Sequence, residues 1–235
     1  MRGARERARS EIAAAIKDEA RRQLAADGAA KLSLRAVARE LGMVSSALYR
    51  YFPSRDELLT ALIVDAYDAV GAAAETAADT AASARRTDPV ARWSAVCAAV
   101  RTWALDHPHE YALIYGSPVP GYAAPRTTVQ PASRVGLSLI AIARDAHRGR
   151  GVAPPPVAAE LRSEAERMAA ELAPDLPPDL VVALIAAWAQ VFGLISFELF
   201  GQFNRVVEDR DVFFTQSVAR LGREAGLVPS GSARR

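Results

Sequence analysis

The 235-residue sequence predicts an all-α protein. Along most of its length, apolar residues recur at the three- and four-residue steps that place them on one face of a helix. Alanine, which has the highest helix propensity, is abundant, and no segment alternates like a strand rich in Val, Ile and Thr. Hydrophobic residues make up 51% of the chain, enough to fill the core of one or two small domains.

Residues 32–59 contain two short helical segments separated by a glycine. Ser33 is a suitable N-cap for the first, because its hydroxyl can accept a hydrogen bond from a free backbone N–H. The apolar face of this segment is formed by Leu34, Val37, Ala38 and Leu41. Gly42 follows where the chain must turn, and Met43 is expected to close the turn against the core.

The second segment is predicted to form a short helix over Ser45–Tyr51. Leu48 and Phe52, four residues apart, would anchor its inner face. Hydroxyls, a phenol and a guanidinium then point outward, on Ser45, Ser46, Tyr49 and Arg50. Such groups can contact phosphates and base edges, and two helices joined in this way are typical of a helix-turn-helix, which places its second helix in the major groove of DNA.

A third helix is predicted to begin after Pro53. Ser54 and Glu57 have the spacing of a capping box, and Asp56 and Glu57 favour the positive start of a helix. Apolar residues at helical spacing continue to about Ala81.

From about Ile12 through Tyr67, the sequence resembles the DNA-binding domain of the TetR (tetracycline repressor) family of bacterial regulators. The matching motifs are Ser33-Leu34-Arg35-x-Val37-Ala38, Leu41-Gly42, Leu48-Tyr49-x-Tyr51-Phe52 and Ser54-Arg55-x-Glu57-Leu58-Leu59. The sequence departs from the family at Val44, where the family usually has a small polar residue. The resemblance implies phosphate contacts for Ser33 and Arg55 and a backbone contact for the Tyr49 hydroxyl. The predicted DNA-binding residues are Ser33, Ser45, Ser46, Tyr49, Arg50, Tyr51 and Arg55.

The charge distribution also favours a polyanionic partner at the front of the chain. Residues 1–60 hold 12 Lys and Arg against 8 Asp and Glu, whereas the remainder holds 17 against 19. Four arginines lie within the first ten residues: Arg2, Arg5, Arg7 and Arg9. This N-terminal arm, residues 1–10, is interpreted either as a DNA-reaching segment or as a solvated, disordered terminus.

Beyond residue 81, the pattern predicts six further helices. A short helix is expected to follow His109 and to run through Tyr115, and the other five are expected at about 90–105, 131–147, 157–172, 179–203 and 209–225. Loops are expected at 116–125 and 148–156, and a break at 174–178. The last helix is expected to bury Val212, Phe213, Val218 and Leu221. Cys97, the only cysteine, excludes an intramolecular disulfide and is predicted to be a buried, inert thiol.

Two later segments also resemble the TetR family. The segment His107–Gly116 is similar to the start of the ligand-binding domain in one branch, which implies a pocket for a small effector. Aromatic residues are the predicted ligand contacts, although an aromatic residue at helical spacing more often packs in the core: Trp93, Trp103, Tyr111, Tyr115, Trp188 and Phe192. His107 and His109 lack a carboxylate at metal-binding spacing, so no metal site and no cofactor are predicted.

The segment Leu180–Phe197 carries no charge and has the length of a short membrane span, but its alanines, Gln190 and the absence of basic flanks favour a helix buried in protein. The run Trp188-x-x-Val191-x-Gly193-x-Ile195-x-x-Glu198 resembles the family's dimer helix. Small residues at three- and four-residue steps would let a second helix approach closely. The predicted homodimer interface contains Ala186, Gln190, Gly193, Phe197 and Phe213.

These patterns together predict a helix-turn-helix DNA-binding domain at 1–53, a helical ligand-binding and dimerisation domain at 54–228, and a disordered tail at 229–235. The predicted function is that of a cytoplasmic, dimeric regulator, released from a palindromic DNA operator by a small apolar or amphipathic effector. One alternative is an all-α carrier or enzyme that uses the C-terminal pocket, although the sequence lacks a phosphate loop and a nucleophile motif. Another is an architectural DNA-binding protein without an effector.

Overall fold

The computed structural model describes residues 2–83, 88–149 and 151–228, and it confirms the predicted all-α class. In these ranges the one β pairing is an isolated antiparallel bridge between Val152 and Leu227. The described residues form ten α-helices: α1 Arg2–Asp27, α2 Leu34–Glu40, α3 Ser45–Leu48, α4 Arg55–Ala82, α5 Pro89–Asp106, α6 Pro108–Tyr115, α7 Val129–Arg148, α8 Arg162–Leu172, α9 Pro178–Leu199 and α10 Arg210–Glu224.

The helices are divided between two compact units, and the first comprises Met1–Ala69 and His107–Ala132. Its core is built from apolar side chains of α1, α2, α3, α4 and α6, because each of these helices presents one apolar face. The largest contributors are Ile16, Leu24, Leu32, Leu34, Val37, Leu48, Leu58, Leu59, Leu62, Ile63 and Leu113.

Polar contacts join α6 and the loop after it to the rest of the first unit. Arg21 on α1 donates to Asp65 on α4 at 2.7 Å and to Glu110 on α6 at 3.0 Å. Farther along, the hydroxyls of Thr60 and Tyr122 lie 2.9 Å apart, within hydrogen-bonding distance. The segment around α6 therefore completes the unit that contains the helix-turn-helix.

The second unit comprises Val70–Asp106 and Ser133–Arg235, and α5, α9 and α10 pack together within it. Trp93 of α5 is fully buried, and its indole N–H donates to the Val218 carbonyl of α10 at 3.0 Å. The Trp93 ring lies against Gly222, where an added Cβ would come within 3.0 Å of it. This glycine therefore allows α10 to approach α5 closely.

An ion cluster links the same helices near the end of α9. Arg101 makes two hydrogen bonds to Glu198, at 2.6 and 2.7 Å, and its guanidinium also pairs with Asp211 at 2.7 Å. The guanidinium lies 5.1 Å from the centroid of the Phe214 ring. Glu198 is only 8% exposed, so this pairing supplies its carboxylate with a partner away from solvent.

The division into compact units does not follow the predicted boundary between residues 53 and 54. Residues 54–69 and 107–132, which the sequence assigns to the C-terminal domain, lie in the first unit. The physical reason is that the first half of α4 and part of α6 supply side chains to its core: Leu58, Leu59, Leu62, Ile63 and Leu113. The predicted disordered tail, 229–235, lies outside the described residues.

The apolar helix α9 differs from the prediction at both ends. The sequence places its start at residue 179, but α9 begins at Pro178, so Asp179 lies in the first turn. Proline suits this position because the N–H that it lacks would be unpaired there. The helix ends at Leu199 rather than near Phe203, and Gly201 follows with φ +85°.

By length and composition, α9 could cross a membrane, and no other described helix could. The core helix of a soluble protein has the same composition, so this observation is weak support for a span. One side of α9 packs into the second unit, where Leu180, Leu184 and Ile195 are buried. The last turn of α9 carries Glu198, which is ion-paired with Arg101.

The phase of α10 also differs from the prediction. Val218 and Leu221 are buried as expected, but Val212 and Phe213 are exposed, and Phe214 is buried instead. Phe214 lies four and seven residues before Val218 and Leu221, so it shares their face of α10, and its ring lies beneath the Arg101 guanidinium.

Candidate nucleic-acid interface

The scaffold of the helix-turn-helix is α2, and its start is fixed by the predicted cap. The Ser33 hydroxyl accepts a hydrogen bond from the Ala36 backbone N–H, and the Ser33 backbone is extended, as an N-cap requires. Leu34, Val37 and Ala38 are buried, as predicted from their spacing.

The turn between α2 and α3 depends on Gly42, whose φ of +62° lies in the left-handed region that favours glycine. Met43 is partly buried against the core, as predicted, and its backbone N–H donates to the Ala38 carbonyl at 2.8 Å. Val44 then takes the N-cap position of α3, makes no side-chain cap hydrogen bond and is 70% exposed.

Helix α3 is shorter than the predicted Ser45–Tyr51. Regular α-helix covers Ser45–Leu48, and the chain continues through residue 51 in hydrogen-bonded turns, with the Tyr51 N–H donating to the Leu48 carbonyl at 2.8 Å. Leu48 is fully buried and Phe52 partly so, which attaches this short element to the core.

The outward side of α3 and of the turns that follow it, residues 45–51, carries most of the predicted DNA contacts. Ser46 and Arg50 are exposed, and Tyr49 is 41% exposed. Ser45 and Tyr51 are half-buried. This short element therefore presents hydroxyls, a phenol and a guanidinium together on one surface, with Leu48 beneath them.

Arg55, a predicted phosphate contact, also has a structural role. Its Nη2 donates to the carbonyls of Ala29 and Ala30, at 2.9 and 3.2 Å. These carbonyls belong to the short turn between α1 and α2, so Arg55 connects the start of α4 to that turn. Its part in DNA binding stays a prediction.

The N-terminal arm makes a contact with the turn after α3 that the sequence did not predict. The Arg9 guanidinium lies 5.7 Å from the centroid of the Tyr51 ring, within the range of a cation–π interaction. The described part of the arm is helical from Arg2 onward, so the disordered alternative does not describe this structure. The sequence signal for this contact is the spacing of Arg9 and Ile16, which are seven residues, or two helical turns, apart, so Arg9 continues the buried side of α1.

The predicted ligand-binding aromatics are divided between the two units. Tyr111 and Tyr115 belong to the first unit, with ring centroids 5.1 Å apart, and burial raises the pKa of the Tyr115 hydroxyl. Trp93 and Trp103 lie in the second unit, and both are buried. Trp93 and Tyr111 have no exposed surface, as is usual for core residues.

Trp188 and Phe192 form the most accessible pair in this set. Their ring centroids are 5.4 Å apart, and Trp188 is 39% exposed. Elsewhere, a surface cleft of about 420 Å³ in the first unit is lined by none of the predicted ligand contacts. The cleft is lined by two carboxylates, those of Asp56 and Glu57, and by Thr60, Tyr122, Ala123, Pro125 and Thr127.

The predicted dimer residues lie on the outside of the second unit. Ala186, Gln190, Phe197 and Phe213 are exposed, and Gly193 is half-buried. Three rings connect α9 to α10, because Phe203 lies 5.7 Å from Phe197 and 5.5 Å from Phe213, centroid to centroid. The exposed aromatic surface is therefore continuous between the two helices.

Comparison with known proteins agrees with this architecture. Residues 16–62 match the family described as bacterial regulatory proteins, tetR family, and residues 93–221 match the tetracyclin repressor-like C-terminal domain. The HTH-type transcriptional regulators Mb1846 of Mycobacterium bovis and Rv1816 of Mycobacterium tuberculosis are each 44% identical to this chain over 213 residues, covering 86% of this chain and 86% of the relative.

Solved structures share the fold. The crystal structure of the regulatory protein SCO4313 has a TM-score of 0.73 and 33% identity, covering 92% of this chain and 97% of that one. A protein of unknown function from Rhodococcus sp. RHA1 has a TM-score of 0.69 at 23% identity, covering 90% and 94%. Because both halves match and the similarity extends along most of its length, the chain belongs to the TetR family of bacterial transcriptional regulators, which are DNA-binding proteins rather than enzymes.

Proposed function

We propose that this chain is a cytoplasmic, homodimeric repressor that binds a palindromic operator through α3 and is released by a small apolar or amphipathic effector. The observation that carries the proposal is the outward side of residues 45–50, where polar side chains are exposed on an element that the fully buried Leu48 anchors to the core. A helix held in this way keeps its contact groups in fixed positions, as major-groove recognition requires.

Within the reading surface, the side chains divide by chemistry. Ser45, Ser46 and Arg50 are proposed to contact base edges, where an arginine fork suits guanine and a serine hydroxyl serves either base. Tyr49 is proposed to contact the phosphate backbone through its hydroxyl. Tyr51, half-buried beside Arg9, is proposed to support this surface from one end.

Two copies of the surface formed by residues 45–50 are needed to read a palindrome. The second unit offers a suitable interface for pairing two subunits. Gln190, Gly193 and Phe197 fall within about 60° of one another around α9. Phe197 is 51% exposed, and the ring contacts through Phe203 extend the surface to Phe213 on α10. Exposed apolar surface of this kind marks an interaction site, and small residues permit close helix packing.

The effector contacts are proposed for Trp188 and Phe192. This pair lies on the side of α9 opposite Gln190 and Phe197, so a ligand there would not compete with the partner subunit. Among the predicted aromatic contacts, Trp93 and Tyr111 are fully buried and need no ligand to complete their packing. α4 supplies residues to both units, so an effector-dependent change in the second unit can reach the first through it.

Selection of bound duplexes from a random DNA pool tests the proposal. We expect a palindromic consensus whose half-sites are related by about one helical turn or a multiple of it. Tyr49→Ala should abolish operator binding while the oligomeric state, measured by sedimentation, stays that of the wild type. An asymmetric consensus or none, or normal binding by Tyr49→Ala, would contradict the proposal.

Release by an effector needs a separate measurement. Small apolar compounds can be titrated while tryptophan fluorescence and operator affinity are recorded together. A true effector should quench fluorescence in the wild type and lower operator affinity, because its preference for one state sets the size of the switch. Trp188→Phe should weaken both responses, and compounds that bind without changing operator affinity would argue against an effector role for that site.

A further inference from the structure

The first helix is longer than the core that it covers. Its buried residues begin at Ile16, and every described side chain in residues 3–12 is exposed. The overhanging part of α1 is therefore about ten residues, or roughly 15 Å, at the rise of an α-helix. This segment packs against almost nothing in its own unit, apart from the contact of Arg9 with the Tyr51 ring.

The arginines of the overhang do not surround the helix evenly. At about 100° per residue, Arg5 and Arg9 lie within about 20° of Ile16, on the continuation of the core-facing stripe. Arg7 lies on the opposite side, and its Nε donates to the carbonyl of Gly3 in the same helix at 3.1 Å. The carboxylates of the segment, Glu6 and Glu11, lie about 80° and 140° from Ile16 around the axis.

The core-facing stripe leads directly to the reading surface. Arg9 lies over Tyr51, which follows Tyr49 and Arg50 at the end of the α3 region. Arg5 is one helical turn beyond Arg9 on the same side. Within the part of the chain that the structure describes, neither guanidinium is paired with a carboxylate, so both charges are available to an anion.

We infer that Arg5 and Arg9 form a second DNA contact, on the phosphates that flank the bases read by α3. This inference rests on the proposed function. Guanidinium groups suit phosphate oxygens, and phosphate contacts add affinity and orientation without reading sequence. Arg5 lies in the first turn of α1, where a cation is unfavourable in the free protein, so a phosphate beside it relieves part of that repulsion.

The matched test compares Arg5→Gln/Arg9→Gln with Arg7→Gln, all in the full chain. The probes are a long duplex that carries the consensus selected by the wild type and a duplex trimmed to that consensus. In a dimer, the double variant removes four phosphate contacts. Affinity for the long duplex should then fall about a hundredfold less between 50 and 200 mM salt than it does for the wild type. Arg9→Gln alone removes two contacts, so its affinity should fall about tenfold less than that of the wild type over the same salt range.

Three further readouts are expected to follow. Arg7→Gln should keep the salt dependence of the wild type. The double variant should select the same consensus as the wild type. The wild type and Arg7→Gln should bind the trimmed duplex more weakly than the long one, whereas the double variant should bind both equally. Equal salt dependence for the wild type and the double variant would overturn the inference. An equal weakening of the salt dependence in Arg7→Gln would also overturn it, as would a double variant that loses binding to anionic lipid vesicles but not to DNA. If the wild type selects no DNA, the proposed function fails, and this inference fails with it.

Discussion

Gly193 offers the sharpest test of the proposed dimer, because its replacement should affect the subunit and the interface in opposite directions. It lies inside α9, and an added Cβ would meet no atom of its own chain within 4 Å. A glycine inside a helix costs about 0.5–1 kcal/mol relative to alanine. Nothing within the subunit explains that cost, whereas a closely approaching partner helix would explain it.

The expected magnitudes can be worked out for each state. In the separated subunit, Gly193→Ala should raise the free energy of unfolding by about 0.5–1 kcal/mol, since the methyl group enters open space. At a packed twofold interface, two added methyl groups should cost about 1–3 kcal/mol through overpacking. The dimer dissociation constant should therefore rise about five- to 150-fold.

Sedimentation equilibrium over a range of concentrations measures the dimer, and urea unfolding at the lowest concentrations measures the subunit. Gly136→Ala in α7 is the matched control, because an added Cβ there also meets no atom within 4 Å. It should stabilise the subunit by a similar amount and leave the dissociation constant unchanged. If Gly193→Ala stabilises the protein and dimerises like the wild type, the close approach of a partner helix at this glycine is refuted.

Three other predictions follow from local contacts. Val44→Thr supplies the missing cap of α3 at an extended, exposed position and should raise the free energy of unfolding by about 1 kcal/mol in urea titrations; no gain would contradict the capping argument. Arg101→Met leaves the buried Glu198 carboxylate without its guanidinium partner and should cost about 3 kcal/mol, whereas a loss below about 1 kcal/mol would show that the pair contributes little. Burial raises the pKa of the Cys97 thiol, so a thiol reagent should label the native protein only as fast as it unfolds, as denaturant-dependent rates would reveal.

Features encoded by neighbouring residues could be predicted from the sequence. The Ser33 cap is confirmed by its hydrogen bond, and the Ser54 hydroxyl accepts from the Glu57 backbone N–H at 3.1 Å, as the capping box predicts. The turn at Gly42 and the anchoring of Leu48 also agree with prediction. In each case the interacting groups lie within a few residues, so local spacing contains the information.

Contacts between distant residues could not be predicted in the same way. The carbonyls that Arg55 binds lie 25 and 26 residues earlier, and the Trp93 indole bonds to a carbonyl 125 residues later. The contact of the Phe214 ring with the Arg101 guanidinium joins residues more than 100 positions apart in sequence. Helical spacing alone cannot distinguish an aromatic residue that packs in the core from one that is open to a ligand or partner.

The discontinuous make-up of the first unit limits how these regulators can be recombined. A chimaera that joined residues 1–69 to a foreign sensor would lack Glu110, one of the three carboxylates that Arg21 binds, and Tyr122, the partner of Thr60. It would also leave a gap where Leu113 fills the core. A portable DNA reader would have to bring residues 107–132 along with it, so any exchanged sensor must be inserted between the two pieces or be built around them.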